Sequence, residues 1–383
     1  MKLLALTEGP NHVCFRYRIE AFAEALAARG WTLESLPMDP QTFSRCHQLL
    51  AARGAALVIL QRRFLPLWQL MLLRRCSRVL VYDFDDAVFL RDSYSRKRST
   101  SLVRLARFWA TLRAADAVIA GNSWLCQQAA QHGAAEKVHL VPTCVDLRRY
   151  SPAPHEACGR LAKLVWIGQH STLPSLQCVR GHLAAAARLL PGLELAVICN
   201  RFPELDEVRV IPRQWSAATE AADLARCDIG ISWLPDDAWS LGKCGLKVLQ
   251  YMAAGLPVVA NPVGMNREMV IHEQTGYLAE TPQEWARAIC RLAFDPHLRR
   301  RMGQAARAHV ARHFGVEGWA PRFAALMDRL GAARTRPSPW PTHFGETAGG
   351  RDIRSGESRP AEQPVPSPAS RRAAAGLERA AGG

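Results

Sequence analysis

The chain has 383 residues, 49% of them hydrophobic, and 49 Lys and Arg against 34 Asp and Glu give it a net charge of +15. That length allows two domains with separate cores, and the basic balance fits anionic partners such as nucleotides, phospholipid surfaces or nucleic acid without choosing among them. Eleven scattered cysteines with no C-x-x-C pair exclude a disulfide framework and a zinc site, and no run approaches the roughly 20 apolar residues that span a bilayer.

The opening "MKLLALTEGP" is too short an apolar run for a signal peptide and reads as a first buried strand. The loop "EGPNHVCFRYR" follows, with Gly9 allowing close approach of a ligand and Arg16 and Arg18 near the next helix start. "RYRIEAFAEALAARG" is helical and stops at Gly30. "ALVIL", "RVLVYDF", "DAVIAG" and "VHLVP" read as further strands. Between the first two lies "RRFLPLWQLMLLRR" (residues 62–75), an apolar run bracketed by arginines. It reads either as a buried helix with snorkelling ends or as a face resting on an anionic membrane. Strand–helix alternation of this kind predicts a parallel sheet covered on both faces.

After "SPAPHEACGR", which reads as a linker, the pattern restarts. "KLVWIG", "LELAVIC", "VRVIP", "CDIGISW" and "LPVVAN" are strands of a second domain. The loop "IGQHST" places Gly168, His170, Ser171 and Thr172 at the carboxyl end of the first of these. The expected boundaries are 1–152 and 160–315 for the two domains, 316–331 for a last helix and 332–383 for a tail. The tail is rich in Pro, Gly, Ser and Arg and poor in aliphatics, so it reads as disordered.

The stretch "LGKCGLKVLQYMAAGLPVVANPVG" (residues 241–264) carries the clearest chemistry. A small-residue loop opens a helix with Leu246, Leu249 and Ala253 on one face, and Gly255 ends it. A helix N-terminus at the carboxyl edge of a parallel sheet offers free amides and the positive end of its dipole, which suits an anion. Lys243 and Lys247 add two positive charges there, beside the amides of Cys244, Gly245 and Leu246. This reads as a phosphate site.

These residues resemble the donor-binding motif of family 4 glycosyltransferases (glycosyl transferases group 1) of the GT-B fold. The motif stands here as "CGLKVLQYMAAGLPVVANPVGMNRE". "HLVPTCVDLRRYSP", "LAFDPHLRRRMGQAARAHVARHFG" and "GWAPRFAALMDRL" are similar to the family's interdomain strand, penultimate helix region and last helix, and the likeness extends over roughly residues 1–330. The resemblance implies two Rossmann-like, doubly wound parallel-sheet domains facing a cleft, with the last helix crossing back to the first domain. It implies sugar transfer with retention from a nucleotide-sugar donor, held mostly by the second domain, to an acceptor hydroxyl. Glu268 matches a glutamate commonly near the donor, and Asn266 is its companion. The family often carries two glutamates where Gly242 and Gln250 stand here, the earlier holding the donor sugar and the later the ribose. Gln250 is therefore expected to bond a ribose hydroxyl as a neutral amide, and Lys247 matches a variant with a lysine just before that position.

Lys247, helped by Lys243, is expected to stabilise the charge that develops on the leaving diphosphate, with no metal or other cofactor required. "DFDDA" contains Asp83 and Asp85 in a D-x-D pattern, a weak signal for a metal site in this first-domain position. Asp85 and Asp86 are expected to face the acceptor. "GNSW" is another strand-end loop, placing Asn122, with Arg16 and Arg18, on the acceptor or phosphate side and Ser123 as a helix N-cap. The expected setting is the cytoplasm, with peripheral contact to an anionic membrane as an open alternative, in polysaccharide or lipid-linked oligosaccharide assembly. Two rival readings remain: a nucleotide-sugar epimerase on the same fold, and a basic nucleic-acid or lipid-binding protein. The second lacks a concentrated basic stripe, so no nucleic-acid partner is expected.

Overall fold

Two six-stranded sheets, all of whose pairings are parallel, organise the chain. The computed structural model describes residues 1–9, 12–95, 99–155 and 162–332. The expected tail and the later part of the expected linker lie outside the described residues. In the first sheet β1 (Lys2–Thr7), β2 (Thr32–Pro37), β3 (Leu57–Gln61), β4 (Leu80–Phe84), β5 (Ala117–Ala120) and β6 (Val138–Leu140) run in the order β2-β1-β3-β4-β5-β6. In the second, β7 (Leu164–Ile167), β8 (Glu194–Cys199), β9 (Arg209–Gln214), β10 (Ile229–Ser232), β11 (Val258–Ala260) and β12 (Gly276–Leu278) run in the order β12-β11-β10-β7-β8-β9.

The strand order reverses beside β1 in the first sheet and beside β7 in the second. Outside the carboxyl ends of such strands an open α/β sheet leaves a crevice. The central strands are continuous apolar runs because helices cover both faces: β3 and β4 are buried at every residue. Two strands escaped the sequence reading. β2 alternates exposed and half-buried residues and carries Pro37, as an edge strand can. β12 has only three residues.

Tyr82, Phe84, Phe108, Leu70 and Leu73 fill one face of the first sheet, and Phe15, Phe22, Phe323 and Met327 the other. Phe323 belongs to the last helix, Val316–Ala332, and its ring stacks on Phe22 at 4.6 Å between centroids. The final helix thus packs on the first sheet's helical layer, with Trp31 Nε1 donating to Asp328 at 2.7 Å. In the segment 62–75, Leu70, Leu73 and Arg74 are buried and Arg74 pairs with Asp116 at 3.3 Å. Most of this segment is therefore core helix, and its widely exposed apolar residues are Leu67 and Trp68 in the first turn.

Candidate active site

The helix Leu246–Ala253 starts beyond the carboxyl end of β10, beside the reversal point of the second sheet. Its N-cap, Gly245, has φ +65°, a left-handed conformation that a side chain would strain, and a Cβ there would lie 2.7 Å from Met269 Sδ. Among the described residues, the amides of Cys244, Gly245, Leu246 and Lys247 have no hydrogen-bond acceptor. Such groups are the ordinary orphans of a helix start, and here they cluster at one turn.

Lys247 occupies this first turn. Its half-buried ammonium sits 4.4 Å over the ring of Trp166, a β7 residue that is 1% exposed. Among the described residues it has no acid partner. Burial, helped by the neighbouring charge of Lys243, pulls its pKa down to about 7. The side chain thus lies against an aromatic wall and keeps its charge poorly without an anion.

Lys243 reaches across to the first sheet. Its Nζ lies 2.9 Å from Asp86 Oδ2 and 4.6 Å over the Trp239 ring. Arg62 also binds Asp86, at 3.2 Å, and donates to Asp85 Oδ1 at 2.8 Å and to Cys14 Sγ at 2.9 Å. Burial would raise the Asp85 pKa, but Arg62 and Arg18 outweigh it and hold the carboxyl below its ordinary range. Asp83 is separate: it accepts from Arg18 at 2.6 Å and from Gln61 at 3.0 Å, and Arg18 Nη1 donates to the Val141 carbonyl at 3.0 Å. Arg18, expected on the acceptor or phosphate side, is a buried brace beneath the cleft. Both it and Arg16 lie in the last turn of the helix Val13–Arg18, not at its start. Arg62 went unnoticed in sequence except as the end of an apolar run. It follows β3 and has φ +58°, a strained conformation for a non-glycine that its carboxylate partners help to hold.

Asn122, not Ser123, caps the helix Ser123–Ala129, accepting from the Leu125 amide at 2.8 Å. Its amide nitrogen donates to the carbonyls of Leu241 and Lys243 at 3.0 and 3.2 Å. Cys244 packs into the first sheet's core, in the space that a Cβ on Gly121 would fill. A Cβ on Gly242 would lie 2.7 Å from the Ala87 amide nitrogen. The loop 242–245 is thus seated on the first sheet's loops, and glycine at 242 permits that approach.

A second cross-sheet cluster contains Arg16 and Gln250. Arg16 donates to Glu220 Oε1 at 2.9 Å, Tyr17 to the same oxygen at 2.8 Å, and Trp215 to Oε2 at 2.9 Å. The hydroxyls of Tyr17 and Tyr150 are 2.8 Å apart, and Gln250 Nε2 donates to both, at 3.0 and 3.3 Å. Since Tyr17 gives its proton to Glu220, Tyr150 must donate to Tyr17, and the Tyr150 oxygen needs a donor from outside the pair. An amide supplies it where a carboxylate could not. The Gln250 nitrogen is therefore engaged in this network. Tyr17, Tyr150, Trp215 and Glu220 left no mark in sequence, because Arg16 and Glu220 stand 204 residues apart.

The remaining candidates are placed as follows. Gly168 lies against Trp166, where a Cβ would come within 2.6 Å of the indole. His170 and Ser171 are exposed on a single 3-10 turn, and Thr172 Oγ1 donates to the Gln169 carbonyl at 2.9 Å. Asn266 is 1% exposed; it accepts from Ser232 at 3.3 Å and donates to Asn261 at 3.2 Å. Glu268 is exposed on the short helix Met265–Met269. The Gly9 carbonyl accepts from the His12 amide at 3.2 Å. No group of three or more His, Cys, Asp or Glu among the described residues could hold a metal ion.

Residues 234–309, which contain this turn and its helix, match the family described as glycosyl transferases group 1. The D-inositol 3-phosphate glycosyltransferase of Streptomyces avermitilis is 30% identical over 253 residues, 57% of this chain and 52% of that protein. That of Xylanimonas cellulosilytica is 28% identical over 233 residues, 52% of each. The chain thus spans about half the length of the curated relatives it matches. Sucrose-phosphate synthase from Thermosynechococcus elongatus is similar in structure, with TM-score 0.67, 19% identity, and coverage of 86% of this chain and 99% of that one. Anabaena Alr3699/HepE in complex with UDP-glucose has TM-score 0.62 and 17% identity over the same shares. Residues 234–309 therefore belong to the glycosyl transferases group 1 family, carried on a GT-B fold.

Proposed function

We propose that the protein transfers a sugar from a nucleotide-diphosphate donor to a hydroxyl acceptor. The turn at residues 244–247 carries this reading: orphan amides and a lysine without an acid partner converge beside the reversal point of the second sheet. A diphosphate set there would satisfy the amides and restore the charge of Lys247. As the bond from the anomeric carbon to phosphate breaks, its electron pair stays on the phosphate oxygen, and fixed donors stabilise that growing charge. The acceptor oxygen forms the new bond to that carbon, and its proton passes to the leaving phosphate oxygen. The family match over this segment and the UDP-glucose complex of a structural neighbour support the donor class.

In this reading Asp85 and Asp86 face the acceptor from the first sheet, Lys243 bridges to Asp86, and transfer retains the anomeric configuration. No metal is required, because Arg18 and Arg62 already neutralise the carboxylates of the D-x-D stretch. A cytoplasmic role in polysaccharide or lipid-linked oligosaccharide assembly fits a nucleotide-sugar substrate. The deciding experiment is a thermal-shift screen against UDP-, GDP-, ADP- and dTDP-sugars, followed by acceptor-dependent release of the nucleoside diphosphate. A donor at 100 times its Kd should add about 2.7 kcal/mol. No shift with any nucleotide sugar would overturn the reading, and product formed without acceptor would point to epimerisation instead.

A further inference from the structure

The helices Leu67–Cys76 and Leu102–Ala114 follow the neighbouring parallel strands β3 and β4. They share one core, with Leu70 and Leu73 from the first and Phe108 and Leu112 from the second. Parallel strands bring the starts of both helices to the carboxyl edge of the sheet, where Arg62, Asp85 and Asp86 stand. Of the eleven large apolar side chains exposed among the described residues, five lie on these two helices. Leu67 and Trp68 are 55% and 50% exposed, Leu102 and Val103 84% and 61%, and Trp109 48%. Such concentration is not the single scatter of an ordinary surface.

Charge selects what covers this face. The helix Leu102–Ala114 carries Arg104, Arg107 and Arg113 and no acid. None of the three forms an ion pair among the described residues, and Arg104 and Arg113 are exposed. An apolar stripe flanked by cations alone suits an anionic lipid surface: leucine and tryptophan enter the interface while arginines meet the headgroups. A second copy of this chain would bring the same unpaired cations against themselves.

We infer that the first turns of these two helices, with Trp109, form the face by which the protein rests on an anionic membrane, and that the acceptor hydroxyl is presented from that membrane. The inference deepens the glycosyl-transfer reading and rests on it only for the acceptor. It also revises the membrane alternative drawn from residues 62–75, whose middle is core and whose Arg62 turns toward Asp85 and Asp86.

The test is co-sedimentation of the full chain with vesicles of phosphatidylcholine alone or with one-third phosphatidylglycerol, at low and high salt. Binding is expected to the anionic vesicles, weakening with salt. Removing charge in Arg104→Gln/Arg107→Gln/Arg113→Gln should lower the partition coefficient by about fivefold per arginine. Leu102→Ser/Val103→Ser/Trp109→Ser should lower it at least tenfold. Quenching of tryptophan by brominated lipid should fall in Trp68→Phe/Trp109→Phe. All three variants should keep the wild-type melting temperature and donor thermal shift, which separates this inference from failure of the donor assignment. Wild-type protein that ignores anionic vesicles would overturn the inference. So would folded variants that bind as wild type, or a dimer that only the serine variant dissociates.

Discussion

Lys243, in the loop before the helix Leu246–Ala253, meets Asp86 of the first sheet's side at 2.9 Å, and Asp86 is simultaneously held by Arg62 at 3.2 Å. The loop that would hold the donor is therefore tied to the side that would hold the acceptor. Lys243→Ala and Asp86→Asn should each destabilise the protein, by about 1–2 kcal/mol. This is less than the 3–5 of a fully buried pair, because the Lys243 side chain is 28% exposed. A double-mutant cycle in urea should show coupling between the two sites. Strictly additive effects would mean that the pair contributes nothing.

Lys247 should govern both turnover and the pH dependence of donor binding. Lys247→Ala should reduce turnover by about 10² to 10³, and Lys247→Arg should recover part of the loss. Its folded pKa, about 7, lies below that of a free lysine. Across the window from about 7 to 10 the unfolded chain holds the proton more tightly, so stability should rise with pH there. Lys247→Met should lack that rise. Binding a diphosphate should recharge the lysine, so donor affinity should fall as pH climbs above about 7. Calorimetry in buffers of different ionisation enthalpy should reveal the proton taken up. Binding without uptake at pH 8 would place the diphosphate elsewhere.

Gln250→Glu should be destabilising although it changes one atom and a charge. The carboxylate removes the donor that the Tyr150 oxygen needs and adds a negative charge near Glu220, which is 2% exposed. Leaving the Tyr150 oxygen without a donor costs about 1–3 kcal/mol. Acidification should relieve part of the cost as the new carboxyl takes up a proton. Comparing melting temperatures of the variant and the wild type at pH 5 and pH 8 checks this. An equal deficit at both would refute the proton count.

Arg62 should make a divalent cation unnecessary. EDTA is expected to leave transfer unchanged in the wild type. Arg62→Ala removes the guanidinium from Asp85 and Asp86, so the Asp85 pKa should rise and the two carboxylates should bind Mn²⁺ measurably by calorimetry. Activity that disappears with chelator and returns with Mn²⁺ would make these aspartates part of a metal site.

The sequence alone determined what local periodicity and chain direction dictate. Continuous apolar runs such as "LVIL" and "LAVIC", separated by amphipathic helices, specify parallel strands buried on both faces. The chemistry of "GKCGLKVLQ" is local as well, since a helix start, a left-handed glycine and two lysines lie within a few residues. β2 and β12 were lost because an edge strand and a three-residue strand carry little pattern. What the tertiary structure decided is which side chains meet across the two sheets. Gln250 carried no sign in sequence of the bonds it gives to Tyr17 and Tyr150. Arg16 and Arg18 looked alike but divide, one to Glu220 in the second half and one to Asp83 beneath the first crevice. Arg62 looked like the end of an apolar run and proved to be the counter-charge of two aspartates. Pairings separated by 23 to 233 residues leave no local periodicity, because a carboxylate's need for a partner is settled by distance in the folded chain and not along it.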